Sequence, residues 1–381
     1  MIQSLRRKLT KNYETYNRIE VSRAAILRNL QLYNELTGQA VAPVLKSNAY
    51  GHGIEIVASA LEGKTLPFVA VDGYFEALKV REAANLPVLV MGMIKPDNYR
   101  VLKTKDLSFA VHELETIRAM ASAGRNFDVH LEINTGMNRH GVKLGNLPDF
   151  LKALKSYRTV KLVGVMGHLA DADGSGVSTV VDASNIFDKA VETVMGEGFE
   201  PRWIHLGQSA GSIRVKSKYA NSIRVGIGFY GVNPFSSGHP NHSDLVSLKP
   251  ALKLVSEVTK IIELKKDDKV SYNYTFAASK PMKIGILPLG YYEGVDRALS
   301  NQGVVKIGAQ YAKILGRVNM NHTIIDLTDV DGRVGTKVTV ISDSTADRNS
   351  VEGLYREHRL FTYSTLTSLS PDIRRVLLDY C

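Results

Sequence analysis

A lysine that follows a short apolar segment is the first residue in this 381-residue sequence with evident chemical potential. Lys46 follows the segment 41–45 and is the first residue of the run Lys-Ser-Asn-Ala-Tyr-Gly-His-Gly. A lysine at the end of a buried strand is desolvated, which lowers the pKa of its amine toward the neutral form that attacks carbonyl groups. From Lys46 alone, an ordinary surface lysine at the end of a strand is the simpler interpretation.

Further polar residues follow the later apolar segments. They are Glu132, Arg139, His168, His205, Ser209, Arg224 and the turn Gly226-Ile227-Gly228. A serine hydroxyl and the backbone N–H groups of a glycine-rich turn can bind a phosphate group. A lysine at one end of a site and a phosphate cradle at the other are what pyridoxal 5'-phosphate requires.

These residues require a fold that brings the ends of many strands together. Short apolar segments alternate with helix-like segments, and eight of them lie at 41–45, 68–71, 88–91, 108–111, 129–133, 162–166, 203–206 and 223–227. Helices are predicted between them at 53–61, 73–82, 114–123, 147–155 and 182–196. No Gly-x-Gly-x-x-Gly follows the first segment, so the alternation favours an α/β fold of the TIM-like (β/α)8 type over an open doubly wound sheet.

The character of the sequence changes after Pro234, where residues 235–244 are rich in Gly, Ser, Pro, His and Asn. Short β-type segments then predominate, at 252–258, 283–287, 304–307, 323–326 and 337–341. We therefore predict two domains. Residues 1–245 form the barrel with an N-terminal extension, and residues 246–381 form a mainly β C-terminal domain.

The composition narrows the functional classes. The 48 basic and 38 acidic residues give a net charge of +10, but the basic residues are scattered and no aromatic-and-basic motif accompanies them, so we expect no nucleic acid partner. The single cysteine, Cys381, argues against a disulfide framework. No apolar segment has the length of a signal peptide core or a membrane span, so we expect a cytoplasmic protein with no membrane partner and no metal site.

Taken together, the motifs resemble those of the alanine racemase family. The segment 46–53 is similar to the family's pyridoxal phosphate lysine motif. Other similar blocks follow in the same order, at 134–141, 167–173, 205–210, 224–231, 270–272, 290–294 and 316–320, and at Tyr363. The resemblance spans almost the whole chain and implies an isomerase with pyridoxal 5'-phosphate as cofactor, alanine as the amino-acid substrate, and a homodimer. It also implies a role in supplying D-alanine for the cell wall.

The resemblance further implies catalytic roles for Lys46 and Tyr272, and it places His168 and Arg224 among the residues that bind the cofactor. Lys46 should carry the cofactor as a Schiff base and act on one face of the substrate α-carbon, while Tyr272 enters from the second subunit and serves the other face. Racemisation needs both, because a single base returns the proton to the side it left. His168 should assist Tyr272. Arg224, with His205 behind it, should face the pyridine nitrogen and leave it unprotonated, because a guanidinium does not release its proton.

The other matched residues are expected to bind rather than to react. The expected phosphate ligands are Tyr50, Ser209, Gly226, Ile227 and Tyr363. Arg139 and the backbone at Met320 should hold the substrate carboxylate, and Tyr291 should lie at the entrance.

Five positions depart from the family pattern. They are Glu132 in place of a carbamylated lysine, Gln208 in place of asparagine, Tyr292-Glu293 in place of Ala-Asp, and Asn321 in place of aspartate. Glutamate keeps the negative charge of a carbamate, so we expect Glu132 to support Arg139.

Other functions stay open at this point. Serine or a broader set of amino acids is the nearest alternative substrate. A decarboxylase with the same domain plan would need a cysteine in the second domain, and the chain has none before Cys381. A non-catalytic pyridoxal phosphate carrier would consist of a lone barrel, whereas this sequence continues well beyond residue 245.

Overall fold

The computed structural model describes residues 13–379, which form two compact units. One unit comprises residues 23–250. The other combines the described residues before position 23 with residues 251–379. The first described strand, β1 (Arg18–Ser22), belongs to this second unit.

Residues 23–250 contain an eight-stranded parallel barrel. Its strands are β2 (Ala40–Pro43), β3 (Val69–Val71), β4 (Val88–Val90), β5 (Leu107–Val111), β6 (Phe127–Ile133), β7 (Val160–Gly167), β8 (Trp203–His205) and β9 (Ser222–Val225). They pair in the order β2-β9-β8-β7-β6-β5-β4-β3, and a single bridge between Val44 and Ala70 nearly closes the sheet. The predicted barrel fold is confirmed. Its strands are continuous apolar segments in the sequence because a parallel sheet is buried on both faces.

Helices connect most of these strands. They are α1 (Arg23–Thr37), α2 (Ile54–Ala60), α3 (Tyr74–Ala83), α4 (Leu114–Ser122), α5 (Leu147–Lys155) and α6 (Ser178–Gly196). Helix α1 precedes the first barrel strand and was not among the predicted helices. Short 3₁₀ turns take the place of helices after β4, β8 and β9, at Pro96–Arg100, Gly211–Ile213 and Ile227–Tyr230. Within residues 13–379 no helix combines the length and the apolar character needed to cross a bilayer.

The second unit is mainly β. Its further strands are β10 (Leu252–Glu257), β11 (Lys260–Leu264), β12 (Lys269–Val270), β13 (Phe276–Ala277), β14 (Met282–Leu287), β15 (Val304–Ile307), β16 (Gln310–Lys313), β17 (Thr323–Asp326), β18 (Lys337–Ile341) and β19 (Arg374–Leu378). A six-stranded sheet has the order β16-β15-β18-β10-β1-β19, and β11, β14 and β17 form a second sheet. Helices α7 (Val351–His358) and α8 (Thr362–Thr367) lie between β18 and β19.

The N-terminal strand is where the structure differs from the predicted domain limits. Strand β1 pairs antiparallel with β10 and parallel with β19, and the units divide at residues 250 and 251 rather than 245 and 246. Ile19 and Val21 are fully buried, in alternation with more exposed neighbours. Five alternating residues define a strand but carry no information about which sheet it joins.

Candidate active site

Lys46 lies at the carboxyl end of β2, where the backbone enters a left-handed turn. The φ angles of Ser47–Tyr50 all lie between +50° and +56°. Such angles cost L-residues about 1–2 kcal/mol each, so the surrounding contacts must hold the turn in place. One of these is a hydrogen bond of 2.6 Å from the Ser47 N–H to the Glu76 carboxylate. The turn leaves Lys46 half-buried and Tyr50 buried.

The ends of β8 and β9 form a cradle around the predicted phosphate ligands of the barrel. Ser209 Oγ accepts hydrogen bonds from the N–H groups of Gly226 (3.0 Å) and Gly228 (3.2 Å). Among the described residues, the N–H of Ile227 has no hydrogen-bond partner. A Cβ atom at Gly226 would lie only 2.6 Å from the Tyr50 hydroxyl. The structure therefore brings four of the five predicted ligands together, packed so closely that a single methyl group added at position 226 would clash with Tyr50.

Two buried residues of α1 support this cradle, and the sequence analysis did not identify them. The Tyr33 hydroxyl donates to the Ser209 carbonyl at 3.2 Å, and a Cβ at Gly228 would lie 2.0 Å from that hydroxyl. Asn29 donates from its amide to the Phe229 carbonyl at 3.2 Å. Asn29 and Tyr33 are one helical turn apart, so α1 presents both on the same face. Polar residues at this spacing on an otherwise apolar face are the signal that could have revealed them.

Arg224 is a buried cation held by the ends of neighbouring strands. Its Nη1 donates to the carbonyl of His205 (2.9 Å) and to the Nδ1 of the same residue, and its Nη2 donates to the Gly167 carbonyl (2.6 Å). Burial lowers the pKa of Arg224 to about 10, and the negative charge of Glu132 opposes this shift. Arg224 therefore remains protonated at neutral pH, as the predicted contact with a pyridine nitrogen requires.

His168 lies beside this cation and is neutral. Burial lowers the pKa of His168 to about 3, and the positive charges of Arg224, Arg139 and Lys46 add to the effect. Its Nδ1 is 3.5 Å from Arg224 Nη2, which places the imidazole lone pair toward the guanidinium. The proton then belongs on Nε2. His168 can therefore donate a hydrogen bond from Nε2 to an acceptor such as a phenolate oxygen.

Glu132 is buried at the end of β6, and the side chain close to its carboxylate is His112, whose pKa is lowered by burial, rather than the predicted Arg139. Its Oε2 lies 3.7 Å from His112 Nδ1, and within residues 13–379 no ion pair joins Glu132 to Arg139. Strands β5 and β6 run parallel with Val111 opposite Leu131, so the residues that follow these two, His112 and Glu132, lie side by side. Arg139 lies further on, in an exposed loop. Both nevertheless line one small cleft together with His140 and His168.

In the β unit, Tyr272 lies on a strained turn between β12 and β13. Its side chain is 68% exposed. The preceding residue, Ser271, has a φ of +63°, and its Oγ lies 2.8 Å from both the Arg317 carbonyl and Asn319 Oδ1. These contacts tie the Tyr272 turn to the segment that contains Met320.

That segment has a free backbone donor. The carbonyls of Asn319 and Met320 accept hydrogen bonds from the N–H groups of Tyr291 and Tyr292, both at 3.0 Å. The N–H of Met320 has no acceptor among the described residues, so it is available for a carboxylate. Tyr363, the fifth predicted phosphate ligand, lies on α8 and is 37% exposed.

Two of the departures from the family pattern contact each other. The Asn321 amide donates to Glu293 Oε1 at 2.8 Å, and Glu293 Oε2 accepts the Gly290 N–H at 2.7 Å. An amide paired with a carboxylate avoids the repulsion that two carboxylates would have at this distance. The two substitutions are therefore compatible with each other.

A barrel with a lysine after its first strand, a phosphate-type cradle after its last two and a separate β unit belongs to the class of barrel enzymes that act at the carboxyl ends of their strands. Within that class, the alanine racemase N-terminal domain model matches residues 21–234, and the alanine racemase C-terminal domain model matches residues 251–377. The chain belongs to the alanine racemase family, as its motifs predicted.

Individual relatives agree with this assignment. An alanine racemase of Sorangium cellulosum is 32% identical over 94% of this chain and 98% of its own length, and one of Lactobacillus acidophilus is 33% identical over 95% and 97%. Among solved structures, the alanine racemase of Bacillus anthracis with bound L-Ala-P has a TM-score of 0.86 at 28% identity, covering 96% of both chains. The fold is also that of the Bartonella henselae alanine racemase with covalently bound pyridoxal phosphate, with a TM-score of 0.81 at 21% identity over 96% of this chain and 100% of that one.

Proposed function

We propose that this protein is a pyridoxal 5'-phosphate-dependent racemase that interconverts L- and D-alanine, with Lys46 and Tyr272 as the two bases. The observation that carries the proposal is the arrangement at the end of the barrel, where Lys46, the phosphate-type cradle and a fixed Arg224 cation are built from neighbouring strands. The relatives named alanine racemase support alanine as the substrate. Serine or a broader substrate range is the alternative.

The residues of the barrel fit the proposed cofactor. Tyr50, Ser209, Gly226 and Ile227 would hold its phosphate together with Tyr363. The cradle offers a hydroxyl and the N–H of Ile227, which has no partner among the described residues, and a side chain at position 226 would clash with the Tyr50 hydroxyl. Lys46 would bind it covalently, and Arg224 would face its ring nitrogen. When bound, pyridoxal phosphate supplies a conjugated ring that takes up the charge left when the α-proton departs.

Proton transfer would then depend on two groups on opposite faces of the substrate. Lys46 Nζ would remove or return the proton on one face, and the Tyr272 hydroxyl would do so on the other. A free tyrosine has a pKa of ~10, so Tyr272 needs an environment that favours its phenolate. A hydrogen bond from His168 Nε2 and the positive charges of Arg224 and Arg139 would supply it.

The substrate carboxylate would be bound by Arg139 and by the N–H of Met320. Both are charged or polar donors without an acceptor that competes for them: within residues 13–379 Arg139 has no ion pair, and the Met320 N–H has no hydrogen bond. A guanidinium and a backbone N–H are standard partners of a carboxylate.

We further propose a homodimer in which Tyr272 of the partner subunit completes each site. Tyr272, Tyr291 and Met320 are all largely exposed, and hydrogen bonds connect the segments that carry them. Clustered exposed aromatic and apolar side chains mark protein interfaces. The cytoplasmic location and the supply of D-alanine for the cell wall stay predictions.

The activity can be tested directly. The purified protein is incubated with each common L-amino acid, the products are separated by chiral chromatography, and released carbon dioxide is measured in parallel. We expect D-alanine to form and no carbon dioxide to be released. Borohydride reduction should fix the cofactor on Lys46. Label on another lysine, or carbon dioxide without D-amino acid, would contradict the proposal.

The shared site can be tested by mixing two inactive variants, Lys46→Ala and Tyr272→Phe. In a twofold-symmetric dimer, random exchange makes half of the dimers hybrid, and each hybrid has one intact site. About a quarter of the wild-type activity should return. If subunit exchange is demonstrated by mass spectrometry and no activity returns, Tyr272 acts within its own subunit.

A further inference from the structure

A second buried histidine lies behind His205 in the barrel interior. His130, on β6, is 1% exposed, and its Nδ1 lies 2.8 Å from His205 Nε2. Its ring packs nearly perpendicular to that of Phe68, at a centroid distance of 5.2 Å. A Cβ at Gly164, its partner on β7, would lie 2.3 Å from His130 Nδ1, so the absence of a side chain at 164 makes room for the imidazole.

The hydrogen bonds fix the protonation of both imidazoles. The guanidinium of Arg224 can only donate, so His205 Nδ1 must accept and the proton of a neutral His205 is on Nε2. This Nε2–H can then donate to His130 Nδ1. Burial, assisted by the positive charge of Arg224, lowers the pKa of His130 to about 3 and that of His205 well below its ordinary value, so both are neutral. Arg224, His205 and His130 form one directional chain of hydrogen bonds.

We propose that His130 is a positioning residue: by accepting the Nε2–H of His205, it stabilises the tautomer of His205 that presents a lone pair to Arg224. Without an acceptor at position 130, the buried Nε2–H of His205 would be unsatisfied. The other neutral tautomer would then compete, and it turns an Nδ1–H toward a cation that can only donate. Arg224 would lose one of the bonds that hold it. The functional consequence rests on the proposed role of Arg224 toward the cofactor.

Two substitutions separate this role from simple core packing. His130→Asn keeps an acceptor oxygen close to the position of Nδ1, whereas His130→Phe keeps an aromatic ring of similar size and has no acceptor. Phe109→Leu, at a fully buried position on β5 outside the chain of hydrogen bonds, controls for a general loss of core packing.

The first measurement needs neither cofactor nor activity. Long-range ¹H–¹⁵N spectra of ¹⁵N-histidine-labelled full-length apo-protein report the tautomer of His205, whose signals are assigned by their absence in His205→Gln. We expect the Nε2-protonated form in wild type, in His130→Asn and in Phe109→Leu. We expect its loss in His130→Phe. If His130→Phe retains that tautomer, or His130→Asn loses it, the proposal is overturned.

The second measurement follows the holoenzyme. We measure the ratio of two rates, that of cofactor loss by half-transamination and that of racemisation. Displacement of Arg224 in His130→Phe should raise this ratio about tenfold, which is the size expected for the loss of one hydrogen bond to a charged group. His130→Asn and Phe109→Leu should keep the wild-type ratio. An unchanged ratio in His130→Phe would contradict the link from His130 to Arg224. If the wild-type protein racemises no amino acid, the proposed function fails, while the tautomer spectra still decide the structural part.

Discussion

The left-handed turn after Lys46 and the glycine turn after β9 meet at one contact, and an added methyl group there should weaken cofactor binding. In Gly226→Ala, the new Cβ would lie 2.6 Å from the Tyr50 hydroxyl and 3.2 Å from its Cζ. The first distance is about 0.8 Å shorter than ordinary van der Waals contact. Tyr50 has little freedom to retreat, since it is buried, has a φ of +50° and packs on the Tyr230 ring at 5.1 Å.

The size of the effect follows from this geometry. Overpacking of a buried contact costs about 1–3 kcal/mol, part of which should appear as reduced stability of the apo-protein. The displaced Tyr50 hydroxyl would also be lost as a phosphate ligand. We expect the apparent dissociation constant of pyridoxal phosphate to rise by roughly ten- to hundredfold, which corresponds to about 1.4–2.8 kcal/mol.

Titration of apo-protein with pyridoxal phosphate, followed by absorbance, measures this constant. Gly196→Ala is the matched control and should bind as the wild type does, because its new Cβ, at the end of α6, has no atom within 4 Å beyond its chain neighbours and its own helix backbone. In a Tyr50→Phe background the clashing oxygen is gone. Gly226→Ala should therefore reduce the free energy of cofactor binding by at least about 0.5 kcal/mol less than it does in the wild-type background. Equal costs in both backgrounds would refute the assignment of the effect to this contact.

Two further predictions concern ionisation. The pKa values of His130 and His168 in the folded protein are near 3, below the ordinary value of 6.5, so the unfolded chain binds more protons and stability is lost as the pH falls below about 6.5. Each histidine should lower the free energy of unfolding by about 2 kcal/mol between pH 6.5 and 5, because only the unfolded chain binds the proton there. His168→Asn should therefore flatten this decline, which denaturant titration at several pH values measures. Asn321→Asp places a second carboxylate beside Glu293, which raises the pKa of the pair in the folded state. Its destabilisation, about 1 kcal/mol or less at neutral pH, should therefore disappear below about pH 4 and shrink in high salt, and thermal unfolding at several pH values tests this. A variant that is equally unstable at every pH would show that the cause is packing.

The barrel strands could be predicted because their burial leaves a direct mark on the sequence. Each of the eight apolar segments overlaps an observed strand, with ends that differ by one or two residues. The sheet that β1 joins could not be predicted, because Ile19 and Val21 alternate with polar residues as they would in any half-buried strand. Pairing between residues more than 200 positions apart is a tertiary property that local pattern does not record.

The residues of the candidate site also fall into two groups, those that the sequence could predict and those that it could not. Residues in recognisable motifs, such as Lys46 and Ser209, could be predicted, although their proposed roles still await the experiments above. His130 was missed because its partner, His205, is 75 positions away, and only the side-by-side pairing of β6, β7 and β8 brings the two rings together. The partner of Glu132 was also missed, because proximity in sequence favoured Arg139 while the parallel pairing of β5 and β6 offered His112.

The interior position of β1, between β10 and β19 in the six-stranded sheet, also determines the order in which the chain can fold during synthesis. The last barrel strand ends at Val225, whereas β1 needs β10 and β19, and β19 ends at Leu378. At a translation rate of about 5–20 residues per second, the roughly 150 intervening residues take about 8–30 s to emerge. For that time the edge of β1 that later pairs with β19 stays unpaired, which makes β1 a segment for chaperones to bind and a site where the nascent protein can aggregate.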